Sequence, residues 1–397
     1  MTELAHPPVT ARSSGDGAVR TALRRAAPAL LAYTVTRLLG IAVLAIWGAM
    51  ADRSPHQLLS ARWDSLWYSR IAEQGYGYTL RLPDGSVHSD LAFFPLLPWL
   101  ERLISAVSPL SAADAGLLVS AIASLAAAWG VFAVGERVSG RRAAVALVVL
   151  WAVLPVGIVQ SMAYSESLFT ALAAWGVYAL LERRWVTAGA LAALAGLTRP
   201  VGAAVVAAVW LTAAAELARD PRWREGRWRA AWREDRRLLA GVALAPLGWL
   251  GYFAWVGERT GSLTGYLDVQ GGWGNGFDGG LAFAAFIGGR LSDGTVAAGV
   301  GLLLGVGLLL WLYVLCIRRR QPVPLLAYGG VVLLLALTAK GYFGSKPRLL
   351  MPAFPLLLPL AVALARLRPA RSALVLGSAG LASAVYGAFW LHGTGPP

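Results

Sequence analysis

The amino-acid sequence predicts an all-α polytopic membrane protein with about eleven transmembrane helices. Of its 397 residues, 57% are hydrophobic and only 14% are charged, which is more apolar surface than a soluble fold can bury. Apolar segments that are long enough to cross, or nearly cross, a hydrocarbon core about 30 Å thick recur along the chain. They lie near residues 27–50, 112–134, 143–160, 165–181, 185–197, 201–217, 238–256, 296–316, 322–339, 349–365 and 372–391. Because several are short, we expect some spans to be broken or partly enclosed by protein.

The distribution of basic residues predicts the orientation of these helices, because cytoplasmic loops of membrane proteins are enriched in lysine and arginine. If the N-terminus is cytoplasmic, the segments on the inside collect 23 of the 35 basic residues. This asymmetry favours an odd number of spans and an external C-terminus. The expected segments are a cytoplasmic tail at 1–26, a single transmembrane domain at 27–392 with external loops near 51–111 and 257–295 and a basic cytoplasmic loop at 218–237, and an external tail at 393–397.

The composition also limits the partners and cofactors. The net charge of +14 is mostly this topology signal and does not indicate a nucleic-acid-binding surface. The basic loop interleaves Trp223, Trp228 and Trp232 with arginines, which is typical of a segment lying on anionic membrane lipid. The single cysteine, Cys316, excludes an internal disulfide, and the four histidines show no metal-ligand spacing. We therefore expect membrane lipids as partners, with no nucleic acid and no metal cofactor.

Distinctive polar residues are concentrated in short motifs on the predicted external side. In the first external loop, apolar residues at 63, 66, 67 and 71 share one helical face, which predicts an interfacial helix just after the first span. Asp64 lies at the start of this helix. An acid in the first helical turn is often only a cap or a partner of the helix dipole. Here it is embedded in aromatic residues near a membrane surface, where it is also a candidate general base.

Five motifs in this half of the chain resemble, in order, those of the PIG-V family, which comprises GPI mannosyltransferase 2 in eukaryotes and its bacterial relatives. Together they span roughly residues 27 to 205, and each motif alone is weak. The motifs are Arg62–Ser65 (RWDS), Ile71–Tyr76 (IAEQGY), Ala92–Pro98 (AFFPLLP), Ala163–Phe169 (AYSESLF) and Thr198–Gly202 (TRPVG). Gln270–Trp273 and Pro347–Arg348 resemble the family more loosely.

The resemblance implies a glycosyltransferase of the GT-C superfamily. Such an enzyme takes a sugar from a polyprenyl-phosphate carrier on the non-cytoplasmic face and transfers it with inversion. The resemblance implies mannose as the sugar and Asp64 as the catalytic residue, because an aspartate of the first large external loop usually has this role. The Ala/Arg/Gly-rich composition indicates a high-GC bacterium, which has no GPI precursor. We therefore expect a plasma-membrane enzyme that extends a lipid-linked or glycan acceptor.

The chemistry of this reaction gives the polar residues candidate roles. Displacing a lipid phosphate from an anomeric carbon requires a base for the acceptor hydroxyl and positive charge on the leaving phosphate. Asp64 is the candidate base, with Asp90 in reserve. Glu166 is a candidate for binding sugar hydroxyls or for orienting Arg199. The candidate phosphate-binding residues, which need no metal, are Arg199, Lys346 and Arg348. The remaining candidate substrate-binding residues are Trp63, Tyr68, Tyr76, Gln270 and Trp273.

Each assignment has a purely structural alternative. Basic residues such as Arg199, Lys346 and Arg348 can simply flank spans, and Glu166 can be an N-terminal helix acid. Arg37, inside the first span, is expected to reach the inner surface or to pair within the bundle rather than join the site. If the functional reading holds, Asp64 faces Arg199 and one of the two later cations across a groove. We expect roughly 6–12 Å between them and no direct salt bridge.

A lipid or glycan transporter without transferase activity is the competing class. Transporters commonly show two related halves and charged or broken segments near the middle of the membrane. This sequence shows no convincing internal repeat, and its polar motifs cluster at one face. The pattern therefore favours a transferase.

Overall fold

The computed structural model describes residues 15–224 and 235–396, and this part of the chain is almost entirely helical. Two pairs of short antiparallel strands accompany the helices, Thr79–Arg81 with Val87–Ser89 and Gly276–Phe277 with Ala339–Lys340. In chain order the elements are α1 Gly15–Met50, α2 Pro55–Ser60, α3 Asp64–Gln74, β1 Thr79–Arg81, β2 Val87–Ser89, α4 Leu96–Val107, α5 Ala112–Ser139, α6 Arg141–Ala152, α7 Glu166–Leu181, α8 Trp185–Gly196, α9 Ala203–Arg219, α10 Pro221–Arg224, α11 Arg236–Leu244, α12 Leu247–Thr260, α13 Gly265–Gly272, β3 Gly276–Phe277, α14 Leu281–Ser292, α15 Val296–Arg318, α16 Val323–Thr338, β4 Ala339–Lys340, α17 Lys346–Leu350, α18 Leu358–Arg366 and α19 Pro369–His392.

The protein is an integral membrane protein of many helices, as the sequence predicts. Within the described residues, six helices are long and apolar enough to cross a membrane. A seventh crossing is possible if Phe343–Leu350 and Phe354–Arg366, which are bent by 75°, form one broken span. All eleven predicted segments coincide with helices, but several helices are short. For example, α6 ends at Ala152 and continues as a 3₁₀ turn, Gly157–Ser161. The count of about eleven crossings therefore stays a prediction.

The bounds of the predicted tails and loops are only partly visible. Helix α1 already begins at Gly15, well before the predicted start of the first span at residue 27. Most of the predicted N-terminal tail lies outside the described residues, as do residues 225–234 of the predicted basic loop and residue 397 of the C-terminal tail. In the predicted external loop 257–295, a short apolar helix, α14, is present that the sequence analysis did not anticipate.

Small residues allow the helices to pack closely. Ala127 and Ala128 on α5 and Ala173 and Ala174 on α7 are fully buried in the largest core cluster. Helices α8 and α11 approach each other closely, since a Cβ added at Gly189 would lie 2.3 Å from the carbonyl oxygen of Gly241. Close backbone approach through small residues is typical of helix pairs in membranes, because lipid gives no hydrophobic driving force for association.

Arg37 is held inside the bundle, which was one of the two expected outcomes. Its guanidinium donates hydrogen bonds to the carbonyl oxygens of Ala152 and Gly157, at the end of α6 and the start of the following turn. It also lies 5.7 Å from the centre of the Tyr33 ring. Arg37 therefore joins α1 to α6 and satisfies carbonyls that lie beyond the end of a helix.

The first predicted external loop forms a layer of helices over one end of the bundle. Helix α4 is amphipathic, since Leu97 and Glu101 are buried against the bundle while Trp99, Leu103 and Val107 are exposed. An exposed apolar face of this kind is typical of a helix lying in the membrane interface. The first predicted external loop therefore contains helices, as expected, and their position in the membrane interface stays a prediction. The second predicted external loop packs on this layer, because Trp273 Nε1 donates to the carbonyl oxygen of Ser89 at 3.0 Å.

Candidate active site

A tight turn between α2 and α3 sets the position of Asp64. Trp63 has a φ of 52°, a left-handed conformation that costs a non-glycine residue of order 1–3 kcal/mol. The turn is closed by Ser65, whose hydroxyl donates to the carbonyl oxygen of Arg62 at 2.6 Å and accepts from its N–H at 3.0 Å. The backbone N–H of Asp64 points to the Tyr164 hydroxyl at 3.4 Å. Asp64 thus begins α3 with its side chain directed toward the AYSES motif.

The carboxylate of Asp64 makes a direct ion pair with Arg348. The distance from Arg348 Nη1 to Asp64 Oδ2 is 2.6 Å, and the two side chains are 9% and 23% exposed. Arg348 Nε also lies 3.4 Å from Glu166 Oε1, and its guanidinium is 5.2 Å from the centre of the Tyr164 ring. Arg348 comes from α17, so the ion pair joins residues that are far apart in the sequence.

Glu166 connects this pair to Arg199. The two side chains form an ion pair, and both are buried or nearly so, at 1% and 11% exposed. Arg199 Nη1 also donates to Ser165 Oγ at 3.2 Å, and Ser165 Oγ is 2.8 Å from the Tyr68 hydroxyl. The result is a row of alternating charges that we call the charged cluster, consisting of Asp64, Arg348, Glu166 and Arg199.

Backbone contacts hold the three contributing segments in place. The N–H of Ala163 donates to the carbonyl oxygen of Leu59 at 3.0 Å, which joins the AYSES motif to α2. The N–H of Leu96 donates to the carbonyl oxygen of Leu197 at 2.9 Å, which joins the first external loop to the TRPVG motif. Arg199 is extended because it precedes Pro200, and this conformation ends α8 and directs the arginine inward.

The expected geometry is partly wrong. Asp64 and Arg348 were expected on facing walls without a salt bridge, but they are in contact. Two unpaired charges in a poorly solvated site cost more than a neutral pair, so the groups approach each other. Asp64 makes no ion pair with Arg199 in the described part of the chain. The two residues are connected through Arg348 and Glu166.

The structure does not bring Lys346 into the charged cluster. Its ammonium group donates to the carbonyl oxygens of Ala336, in the last turn of α16, and Ala339, just after that helix, at 2.6 and 2.8 Å. It also lies 4.4 Å from the centre of the Phe283 ring. Lys346 therefore caps a helix, which was the alternative reading for one of the two cations.

Asp90 also has a structural environment. Its side chain is fully buried, and Oδ2 accepts hydrogen bonds from the backbone N–H groups of Gly77 and Tyr78, at 2.9 and 2.8 Å. Burial raises the pKa of Asp90, while these N–H donors act in the opposite direction. Asp90 therefore holds the loop that follows α3. Within the described residues, its hydrogen bonds do not reach the charged cluster.

Of the remaining candidates, Tyr68 reaches the charged cluster through Ser165, whose Oγ also accepts from Arg199. Tyr76 donates to the carbonyl oxygen of Phe93, and Gln270 donates to the Tyr266 hydroxyl. Trp273 stacks on His88 at 4.1 Å and meets Trp67 edge-on at 4.9 Å. These residues belong to a separate aromatic layer formed by the two external loops.

Trp63 has a further role, because its ring lies 3.9 Å from the guanidinium of Arg62. That guanidinium donates to the carbonyl oxygens of Leu391 and Gly393. This pair therefore attaches the Asp64 turn to the C-terminal end of α19.

Sequence reasoning missed Tyr164 and Ser165 as members of the site. Tyr164 receives the N–H of Asp64 and lies beside Arg348, while Ser165 links Arg199 to Tyr68. Their position next to Glu166 in a polar interruption of an apolar segment was the available signal.

Comparison with known proteins supports the class of fold. The family model for dolichyl-phosphate-mannose-protein mannosyltransferases matches residues 90–231, which is less than half of the chain and does not include Asp64. No curated protein matches the sequence significantly. The PIG-V resemblance stays a prediction, because the matching family model is a different one.

Solved structures resemble the protein over most of its length. ArnT from Cupriavidus metallidurans bound to undecaprenyl phosphate has a TM-score of 0.51 and 16% identity, covering 91% of this chain and 62% of that one. The apo form of the same protein has a TM-score of 0.49 and 18% identity, covering 80% of this chain and 56% of that one. AglB from Archaeoglobus fulgidus, in complex with an inhibitory peptide and a dolichol-phosphate, has a TM-score of 0.47 and 13% identity. The match covers 93% of this chain and 56% of that one. The chain thus spans about three-fifths of the length of the ArnT chains. Its fold is that of the GT-C membrane glycosyltransferases.

Proposed function

We propose that the protein is an inverting GT-C glycosyltransferase that uses a polyprenyl-phosphate sugar, and that the charged cluster is its active site. The observation that carries this proposal is the direct contact of Asp64 with Arg348, which in turn contacts Glu166. A candidate base and two guanidinium groups thereby share one partly buried site. Guanidinium groups are suited to phosphate oxygens, because their planar donors bind two oxygens at once.

In the proposed reaction, the acceptor hydroxyl attacks the anomeric carbon of the sugar. The new bond joins the acceptor oxygen to that carbon, and the bond from the carbon to the phosphate oxygen breaks. Asp64 takes the hydroxyl proton, and the polyprenyl phosphate leaves with its additional negative charge. Arg348 and Arg199 stabilise this charge, because they are held in place before the reaction begins.

Arg348 has the geometry for this dual role. Its Nη1 contacts Asp64 and its Nε faces Glu166, which leaves Nη2 for a phosphate oxygen. The contact with Asp64 also keeps the carboxylate oriented. When a phosphate binds to Arg348, it competes with Asp64 for the guanidinium donors, which frees a carboxylate oxygen to face the acceptor hydroxyl.

Glu166 is suited to binding the sugar. Its Oε2 is buried and accepts no hydrogen bond from the described residues. A buried carboxylate oxygen without a donor is costly, and a sugar hydroxyl would satisfy it with a charge-assisted hydrogen bond. Glu166 also orients Arg199, so both roles expected from the sequence are compatible with its position.

We infer that the site faces the outside of a bacterial plasma membrane. The arginine asymmetry supports this orientation, because the charged cluster lies at the end of the bundle opposite Arg25, Arg137 and Arg183. The proposed sugar is mannose, which rests on the PIG-V resemblance and on the family match over residues 90–231. The ArnT structure with bound undecaprenyl phosphate supports a polyprenyl-phosphate carrier and does not bear on the sugar. The proposed acceptor is a lipid-linked or cell-envelope glycan.

The test is a transfer assay with the purified protein in lipid nanodiscs. Polyprenyl-phosphate-mannose is supplied with lipid-linked and glycan acceptors, and polyprenyl-phosphate-arabinose and polyprenyl-phosphate-glucose are run in parallel. Acceptor-dependent transfer of mannose that disappears in Asp64→Asn supports the proposal. Transfer of only another sugar contradicts the choice of mannose. Movement of the donor across proteoliposomes without transfer to any acceptor contradicts the enzymatic function and favours a flippase.

A further inference from the structure

A cavity lined partly by polar residues opens at the other end of the bundle, far from the charged cluster. Its volume is about 410 Å³, and it lies between the ends of α5 and α7, the turn from α15 to α16, and α18. Helix α7 begins at Glu166 in the charged cluster and ends at Leu181 in the cavity wall. Fifteen helical steps separate these residues, which places the two sites about 22 Å apart along the helix. The cavity is therefore at the predicted cytoplasmic surface.

Three arginines give this cavity a strong positive charge. Arg137, Arg319 and Arg320 line it. Arg137 uses its Nε for an ion pair with Glu182 at 2.8 Å, which leaves its terminal nitrogens available. Arg319 and Arg320 make no ion pair with any residue of the described chain. Arg319 and Arg320 are exposed and carry like charges on consecutive residues, so an anion bound between them would reduce their repulsion.

The backbone of the turn also indicates a use for these side chains. Arg320 has a φ of 51°, the left-handed conformation that follows many helices and that usually falls to glycine. The turn is closed by the N–H of Gln321, which donates to the carbonyl oxygen of Cys316 at 3.1 Å. Arginine in this conformation is strained where glycine is not, and such strain is concentrated at ligand-binding positions.

The rest of the lining favours an amphipathic ligand. Leu181, Leu358 and Val362 provide an apolar wall beside the arginines. The side-chain oxygen of Gln321 is buried and accepts no hydrogen bond from the described residues. A phosphodiester would bind the arginines, a headgroup hydroxyl would donate to Gln321, and an acyl chain would cover the apolar wall. Basic pockets between helices on the cytoplasmic side commonly bind anionic lipid headgroups.

We propose that this cavity is a binding site for an anionic phospholipid of the inner leaflet, such as phosphatidylglycerol. The site is separate from the charged cluster, and the proposal does not depend on the transferase function.

The test measures binding of phosphatidylglycerol to the purified full-length protein by native mass spectrometry, with phosphatidylcholine as the neutral reference. Arg319→Gln combined with Arg320→Gln removes the cavity charges. Arg318→Gln combined with Arg371→Gln is the matched control, because it removes the same charge from the same face outside the cavity lining. We expect the affinity for phosphatidylglycerol to fall about fivefold per arginine in the cavity variant and to stay within about twofold in the control.

Two results would overturn the proposal. Equal losses in both variants would show that the protein attracts anionic lipid by its overall charge and not at this cavity. Displacement of bound phosphatidylglycerol by an equimolar amount of soluble glycerophosphoglycerol would show that the cavity takes a soluble phosphodiester and not a lipid. The thermal unfolding midpoints of both variants, measured without added lipid, establish that each is folded.

Discussion

At the scale of single residues, the site depends on which charges are paired. Asp64 and Glu166 are neutralised by Arg348 and Arg199, so four ionisable groups occupy one partly buried region without excess charge. Lys346 is only two residues from Arg348 but binds backbone carbonyls instead. Lys346 and Arg348 are therefore close in sequence but lie in different environments, and we expect substitutions at the two positions to have different effects.

Asp64→Asn tests the base. The amide keeps the shape of the side chain but accepts no proton, so we expect turnover to fall by on the order of a hundredfold or more. Binding of the donor and insertion into the membrane should persist. Asp84→Asn, on the exposed hairpin, is the control and should transfer sugar normally. Turnover close to that of the unaltered protein in Asp64→Asn would move the role of base to another residue.

Arg348→Lys and Lys346→Arg form a second pair of tests. Lysine at 348 keeps the charge but cannot reach Asp64, Glu166 and a phosphate with one planar group, so kcat/KM should fall about a hundredfold. Lys346→Arg should mainly lower the thermal unfolding midpoint, because a larger group replaces the ammonium between two carbonyls and two phenylalanine rings. Steady-state kinetics and thermal unfolding on both variants check this. A larger loss of kcat/KM in Lys346→Arg than in Arg348→Lys would assign phosphate binding to Lys346.

At the scale of helices, stability depends on close backbone approach and on buried polar groups outside the site. Gly189 on α8 and Gly241 on α11 leave no space for a side chain between them. Glu101 on α4 is buried against α5, and its Oε2 has no hydrogen-bond partner among the described residues. Both features predict measurable effects on unfolding.

Gly189→Ala should destabilise the protein. The new methyl group would meet backbone atoms of Gly241, which cannot move aside as a side chain can, and overpacking typically costs about 1–3 kcal/mol. Gly301→Ala is the matched control, since that position on α15 has no atom within 4 Å of the added Cβ. The control should be neutral or slightly stabilising, because alanine favours helix. Thermal unfolding in detergent compares the two, and equal midpoints would contradict the close contact.

Glu101 predicts a dependence of stability on pH. Burial, and to a smaller extent the charge of Glu73, holds the pKa of Glu101 well above its ordinary value. The folded protein then binds a proton that the unfolded chain releases, so stability is full below the unfolded pKa of about 4.5 and falls as pH rises toward the folded pKa. Glu101→Gln has no ionisable group at this position, so it does not lose stability in this way as pH rises. We expect its unfolding midpoint to exceed that of the unaltered protein at pH 7 and the difference to shrink toward pH 4. A difference independent of pH would contradict this account.

At the scale of the whole molecule, the two ends of the bundle differ in charge and in role. Arg25 pairs with Glu136 and Arg137 with Glu182 at one end. At the other end, Arg53 and Arg62 bind the carbonyl groups of His392 and Gly393, beside the Asp64 turn. The described N-terminal part of α1 and the C-terminal end of α19 therefore lie at opposite ends of the bundle.

Single-cysteine labelling tests the orientation of these ends. In a background with Cys316→Ala, Gly85→Cys should react with an impermeant thiol reagent applied outside the cell, because it lies on the hairpin of the first external loop. Gly226→Cys, in the basic loop, should be protected until the membrane is permeabilised. The reverse pattern would place the charged cluster on the cytoplasmic side and would contradict the proposed location of the site.

Much of the architecture is determined by the sequence alone. Length and number of apolar segments predict a helical membrane protein, because backbone polar groups in lipid must be satisfied within helices. Arginine asymmetry predicts the two unlike ends, and the polar motifs locate Asp64, Glu166, Arg199 and Arg348, since charged groups near lipid are retained where they have a partner or a role.

The tertiary structure decided how these residues combine. Asp64 and Arg348 are separated by most of the chain, and no local pattern indicates that they form an ion pair. Lys346 and Asp90 lie just outside the motifs, and their side chains bind backbone groups instead, which only the packing of α16 and of the loop after α3 reveals. Periodicity and composition predict which segments must be buried and which charged groups require a partner. Which segment supplies it is fixed by long-range packing, because the energy of a buried charge depends on its neighbours in space and not on its neighbours in sequence.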